Sequence, residues 1–268
     1  MRAYLAEFLS DPRVVGLPRV LWLPLLYGVI LPRRSPESAK KYAQIWTTEG
    51  SPLAVHTRRQ AELLGADYAM RYGQPALLQA LQKSFEVVVP LYPQYSDSAT
   101  GSVLDLIPSN VRTVREFHSH PAYIEALAAQ VRRHRRNDLL VMSFHGLPKR
   151  GSAEYEAQCL ATASLLAEKL GLKTSAWKAT FQSRFGFAQW LQPYTEPALI
   201  ELAKAGRTSL DVFCPGFVSD CLETLEELGI TAKRRFIEAG GKELNLVPCL
   251  NESPEWIGAM AQIVREHR

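Results

Sequence analysis

The sequence predicts an α/β fold in which parallel strands alternate with helices. Three observations carry this. Short apolar or β-branched runs end at turn residues or polar loops, amphipathic stretches separate them, and the rhythm occurs in both halves of the 268 residues. Strands alternating with helices pair in parallel through right-handed crossovers. The length and the 47% hydrophobic content suffice for one large or two small domains with proper cores.

The chain opens on a helix, MRAYLAEFLSD. Residues 17–35, LPRVLWLPLLYGVILPRRS, hold an apolar part from Val20 to Leu31 that is too short to span a bilayer. Pro18, Pro24 and Pro32 break it as a helix. It reads either as a buried loop-and-turn segment or as an exposed apolar lip. In the second case Trp22 and Tyr27 suit an interface, with Arg33 and Arg34 beside them. A helix follows from Ser35 to Ile45, and another after GSPL (50–53), where Ser51 can cap and Pro52 can take the first position. Strands are expected over DYAMRY (67–72), SFEVVVPLY (84–92) and RTVREFH (112–118).

PAYIEALAAQVRRHRR (121–136) is a long amphipathic helix that can join the halves. The second half has plain strands: DLLVMSF (138–144), TSAWKATF (174–181), SLDVFC (209–214) and ELNLVPC (243–249). Helices between them cover 154–171, 197–206 and 222–229. The final helix places Trp256, Met260 and Ile263 at helical spacing and can pack on either half. If the halves are similar units, the first lacks one strand.

Net charge is +4, so anionic partners are only weakly favoured. The basic run VRRHRRN (131–137) sets cations at a helix C-terminus; without aromatic interleaving or a known module it does not indicate nucleic acid. Cys159, Cys214, Cys221 and Cys249 form no C-x-x-C pair, which argues against a zinc ribbon and for a reducing compartment. Acidic residues come too early in the chain for a secretory leader.

Ligands of open parallel sheets bind beyond the carboxyl ends of strands. Three such ends carry suggestive residues. SFHGLPKR (143–150) puts His145 just past a strand, before Gly146. TFQSRFGFAQW (180–190) offers Ser183, Arg184 and Trp190. CPGFVSDCLETLEELG (214–229) offers Phe217 and a helix with Glu223, Glu226 and Glu227. Glu223 and Glu227 are four apart and repel by about 0.2–0.5 kcal/mol. Asp220 as N-cap and Glu223 in a capping box would explain Glu223 but not Glu227. A line of carboxylates would attract a hard or borderline divalent cation, and a neutral His across a cleft could accept protons or hand on a metal. His118 and His120 form H-x-H just before a helix and read as local structure.

Together, and in this order, these segments resemble the ferrochelatase family. The matching stretches are RRSP (33–36), GSPL (50–53), MRYG (70–73), VVVPLYPQYS (87–96), TGS (100–102), SFHGLP (143–148), TFQSRFG (180–186), W-L-x-P-Y-T (190–195), CPGFVSDCLETLEEL (214–228) and P-x-L-N-x-S-P (248–254). The resemblance implies two flavodoxin-like, Rossmann-like lobes with a porphyrin cleft between them. The lobes are expected at 1–120, completed by helix 253–268, and at 121–252. The resemblance implies insertion of Fe(II), as a substrate, into protoporphyrin IX to give protohaem. It implies catalytic roles for His145 and Glu223, and a metal-side role for His145, Glu223 and Glu227. Substrate contacts implied are Arg34, as a propionate partner, Tyr42, Arg71, Tyr72, Ser98, Trp190 and Phe217. Segment 17–35 corresponds to the family's apolar lip, so the expected location is the cytoplasm, with peripheral contact to the inner face of the membrane.

The chain also departs from the pattern. Family members start with a strand and a Gly-Thr-Pro loop ahead of the first helix here, and the connections before MRYG and SFHG look shortened. Some branches hold a [2Fe–2S] cluster on cysteines; one ligand position is Asp97 here, and no cluster is expected. Three rival readings stay open: a coproporphyrin substrate, a non-catalytic porphyrin or haem carrier, and a cobalt or nickel chelatase.

Overall fold

The computed structural model describes residues 1–184 and 188–268; Phe185 and Gly186 of the TFQSRFG motif lie outside them. Two parallel sheets form. The first pairs β1 (Val87–Val88) with β2 (Arg112–Thr113). The second holds β3 (Leu140–His145), β4 (Trp177–Gln182), β5 (Ser209–Phe213) and β6 (Glu243–Leu246) in the order β4-β3-β5-β6.

The central strand β3 shows why this sheet is stable. Leu140, Met142 and Phe144 enter one core with Tyr123, Leu127 and Leu166. Val141 points to the other face, with Leu199, Val212, Leu228 and Phe236. Both faces are thus covered by helices, as a parallel sheet requires. All strands run the same way, so their carboxyl ends gather at one edge, where His145 lies opposite Gln182.

The first half departs from expectation. Residues 67–72 form no strand; Met70 makes one isolated bridge to Ala76. A strand exists only through hydrogen bonds to a neighbour, and among the described residues none lies alongside 67–72. For the same reason the 84–92 and 112–118 runs shrink to two paired residues each.

The proline-rich segment also corrects the sequence reading, because it is helical. Helix Arg19–Leu25 passes into a π-helical turn, Leu26–Ile30, and on into helix Leu31–Ala43. Pro18 sits at the N-cap, where its missing donor costs nothing. The wide turn lies between Pro24 and Pro32 and takes up the mismatch of two absent N–H donors. One side of this lip helix buries Trp22, Leu26 and Leu31 against Leu9 of helix Arg2–Ser10. On the other side Val20 is 84% and Leu21 73% exposed, which makes it a lip and not a buried loop. Among the described residues no helix is long and apolar enough to cross a membrane.

Helix Pro52–Leu64 begins as expected, with the Ser51 hydroxyl accepting from the Ala54 N–H at 3.3 Å. Helix Pro254–Glu266 packs on helix Pro121–His134, with Trp256 against Phe117 and Tyr123 at ring distances of 5.7 and 5.6 Å.

The acidic helix runs past its expected end. It is π-helical over Glu223–Ala232 and continues as Lys233–Glu238. Gly229 does not stop it; a Cβ there would meet Leu246 of β6 at 3.1 Å, so this glycine serves close helix–strand approach.

Candidate active site

Each functional side chain is fixed by the element that carries it. His145 ends β3, and its backbone carbonyl accepts from the Tyr155 hydroxyl at 2.9 Å. Its Nδ1 lies 2.7 Å from the Gly146 carbonyl oxygen. A carbonyl only accepts, so Nδ1 carries a proton, and Nε2 is the ring nitrogen left for other partners. The ring stands 6.4 Å from that of Phe217. Gly146 is required here, since a Cβ would fall 2.5 Å from the Gln182 carbonyl oxygen.

Gln182 joins the two candidate catalytic groups. It faces His145 in the register and donates from Nε2 to the Glu223 carbonyl at 2.7 Å. Its own oxygen accepts from the Ser143 hydroxyl at 2.7 Å. Thr195 and Thr180 continue this buried chain at 2.8 and 2.9 Å. The strand ends and the start of the acidic helix therefore share one frame.

The expected capping box is not formed. The helix has no side-chain cap, and Thr224 does the local work. Its hydroxyl donates to Asp220 at 2.9 Å and accepts from the Cys221 N–H at 3.0 Å. The second Asp220 oxygen accepts from Asn251 at 2.7 Å. Glu223 is thereby left to face the cleft.

The three carboxylates of this helix have separate fates. Glu223 lines the cleft. Glu226 is buried, paired with Lys41 at 3.0 Å and held by the Thr231 hydroxyl at 2.8 Å. Glu227 accepts from the Ser183 N–H at 2.7 Å and its hydroxyl at 2.6 Å. Burial raises the Glu227 pKa, against the lowering pull of Ser183 and His145.

A cleft of about 1730 Å³ lies over this edge. His145, Glu223, Arg34, Tyr42, Arg71, Tyr72, Ser98, Trp190 and Phe217 all line it; Glu227, expected on the metal side, is not among the lining residues and is instead engaged by Ser183. Arg71 and Tyr72 present their flanks, for their polar atoms are engaged. Arg71 pairs with Asp11 and donates to the Ser102 carbonyl at 2.9 Å, and the Tyr72 hydroxyl donates to Asp11 at 3.0 Å. Among the described residues the buried Trp190 indole N–H has no partner. Among the described residues no three His, Cys, Asp or Glu side chains form a ready metal cage.

Tyr4 and Gln182 were not singled out by the sequence. Tyr4 lies beside Tyr42, and burial, then Tyr42 and Glu223, raise its hydroxyl pKa. Burial and the Glu223 charge push Tyr42 up to about 12. Phenols that stay neutral beside a carboxylate can donate to it without adding charge. The signal for Gln182 was its place at a strand end; Tyr4 comes from a distant helix and carries no local signal.

The ferrochelatase family model matches residues 1–268. The chain belongs to the ferrochelatase family. A ferrochelatase from Azoarcus sp. (strain BH72) is 52% identical over 298 residues, covering 99% of this chain and 82% of that protein. One from Aromatoleum aromaticum is 49% identical, with coverage of 99% and 82%. One from Herminiimonas arsenicoxydans is 49% identical over 100% of this chain and 82% of its own length. Alignments this much longer than the 268-residue chain mean that these ferrochelatases carry internal segments without counterpart here. Among solved structures, SirB from Bacillus subtilis with Fe3+ superposes with a TM-score of 0.56 at 12% identity, covering 81% of this chain and 88% of that one. CbiX, described as the terminal enzyme of siroheme biosynthesis in denitrifying bacteria, gives 0.53 at 14%, covering 86% and 93%. These two show the chelatase fold.

Proposed function

We propose that this chain inserts Fe(II) into protoporphyrin IX, with His145 as the proton acceptor and Glu223 as the carboxylate facing it. Membership of the ferrochelatase family supports the final haem-forming step, iron into porphyrin. The observation that carries the residue roles is the His145–Gly146 contact: Nδ1 is spent on the Gly146 carbonyl, which leaves Nε2 as the ring nitrogen for substrate in a cleft that His145 lines.

The chemistry follows from the porphyrin. Two pyrrole N–H protons must leave as Fe(II) enters, and a flat ring shields its own nitrogens. A cleft that holds the ring bent exposes a lone pair to the metal, and neutral imidazole is suited to take a proton near neutral pH. Glu223 attracts the cation or receives the second proton. Glu227 supports it from behind by fixing Ser183 beside Gln182. Trp190 and Phe217 form the apolar wall on which the macrocycle lies.

Protoporphyrin is preferred over the more highly charged coproporphyrin because the lip exposes Val20, Leu21, Leu25 and Tyr27. The same surface suits peripheral contact with the inner face of the membrane, from the cytoplasm. The cleft is bounded by lobes at 1–120, completed by helix 253–268, and 121–252. The reading includes no [2Fe–2S] cluster, on the strength of Asp97 at a ligand position.

The test is an anaerobic mixture of protein, Fe(II) and protoporphyrin, followed by the haem absorption spectrum. Wild type should form haem, while His145→Ala and Glu223→Gln should lose about 100-fold or more in rate. Porphyrin binding without haem above the variants would replace this reading with a carrier. A parallel run with coproporphyrin decides the substrate.

A further inference from the structure

We propose that Lys41 and Glu226 are a positioning pair that sets the width of the porphyrin slot; this rests on the porphyrin reading above. The two halves are tied differently at the back and the front. At the back, buried Gln60 donates to the Ser219 hydroxyl at 2.8 Å and the Asn251 carbonyl at 2.9 Å, and His56 meets Glu252 at 2.8 Å. At the front, the Lys41 ammonium reaches Glu226 at 3.0 Å, with Lys41 49% and Glu226 5% exposed.

Glu226 is buried and hydrogen-bonded on its own side. Thr231 holds one oxygen at 2.8 Å, which leaves the other for Lys41. Lys41 belongs to the lip helix, which is anchored on helix Arg2–Ser10 by the Trp22 indole donating to the Leu9 carbonyl at 2.7 Å. The next residue, Tyr42, lines the cleft and senses the Glu223 charge. So the two neighbours on one side, Lys41 and Tyr42, confront Glu226 and Glu223 on the other. The length of the ion pair fixes the separation at which Tyr42 and Glu223 oppose one another. A flat ring needs that separation held, because a wider slot loses van der Waals contact with the ring, while Glu223 itself stays on Gln182.

The test uses the whole chain and two readouts, protoporphyrin affinity by fluorescence titration without iron, and steady-state haem formation. Lys41→Met should weaken the dissociation constant and raise the porphyrin KM by about fivefold. Its kcat should stay within about twofold, since no group that touches the reacting atoms changes. Lys41→Arg keeps the charge and should restore wild-type affinity. A pair that merely stabilises the fold would lower the melting temperature of Lys41→Met and leave its porphyrin affinity equal to wild type, and that result overturns the proposal. If wild type binds porphyrin but makes no haem, the functional reading fails, and the titration still decides the role of Lys41.

Discussion

Glu227 accepts two hydrogen bonds from one residue, Ser183, through its backbone N–H and its hydroxyl. Ser183 has φ of 64°, a left-handed conformation that a serine adopts at a cost of about 1–3 kcal/mol. The carboxylate holds that conformation at the end of β4, one residue from Gln182. Removing the hydroxyl should therefore raise the Glu227 pKa further, because one donor to the charged form is lost. Ser183→Ala should show this by carboxyl-labelled NMR titration, with about 1–2 kcal/mol lost in unfolding free energy. An unchanged Glu227 titration would mean that the hydroxyl is not engaged.

Gln182 is the shared support of His145 and Glu223. Gln182→Leu keeps the bulk but frees the Glu223 carbonyl and strands the Ser143 hydroxyl. Haem formation should slow by about tenfold or more, as expected for a misplaced carboxylate. Stability should fall by about 1–3 kcal/mol. Full activity in this variant would show that Glu223 is placed by other contacts.

At Gly146 the added methyl group has nowhere to go. Gly146→Ala puts a Cβ 2.5 Å from a backbone oxygen of β4, and backbone yields less readily than a flexible side chain. The strand ends must separate, at about 1–3 kcal/mol in a urea melt. Haem formation should fall with it, because the His145–Gly146 contact depends on this peptide. A variant as stable and active as wild type would refute the packing argument.

His118 governs an acid limb of stability. Burial lowers its pKa below the ordinary 6.5, against the opposing pull of Glu116 and Glu154. The unfolded chain therefore takes up a proton near 6.5 that the folded one refuses. Stability from this group is full above that value and is lost as pH falls through the window below it. His118→Gln should flatten this slope between about pH 7.5 and 5.5. The check is the urea midpoint across that range; an equal slope in both proteins would assign the acid limb elsewhere.

Much of the second half was legible because its strands are self-announcing. LVMSFH and SLDVF are short apolar runs bounded by turns, and burial on both faces makes them look the same in sequence and in space. DYAMRY has the same local look, yet strand character depends on a neighbour that sequence pattern does not reveal. The lip was legible as a lip but not as a helix, for the opposite reason. A local rule about proline was applied where a widened turn cancels it. At the site, His145 and Glu223 stood at strand ends and could be picked out. The Asp220–Glu223 capping box does not form, since the Thr224 hydroxyl takes the Asp220 oxygen instead. Tyr4 and Lys41 act through contacts between distant segments, and nothing in their immediate neighbours marks them; Gln182 is marked only by its place at a strand end.

Among the described residues β1 pairs with β2 alone, and its Val87 and Val88 line the cavity. The run around it, VVVPLY, carries no charge to discourage a visiting strand. Bare, apolar sheet edges are templates on which other chains polymerise. Refolding at high concentration should thus lose material as insoluble aggregate seeded at residues 87–89, between Glu86 and Pro90, well before the tightly packed second sheet is at risk.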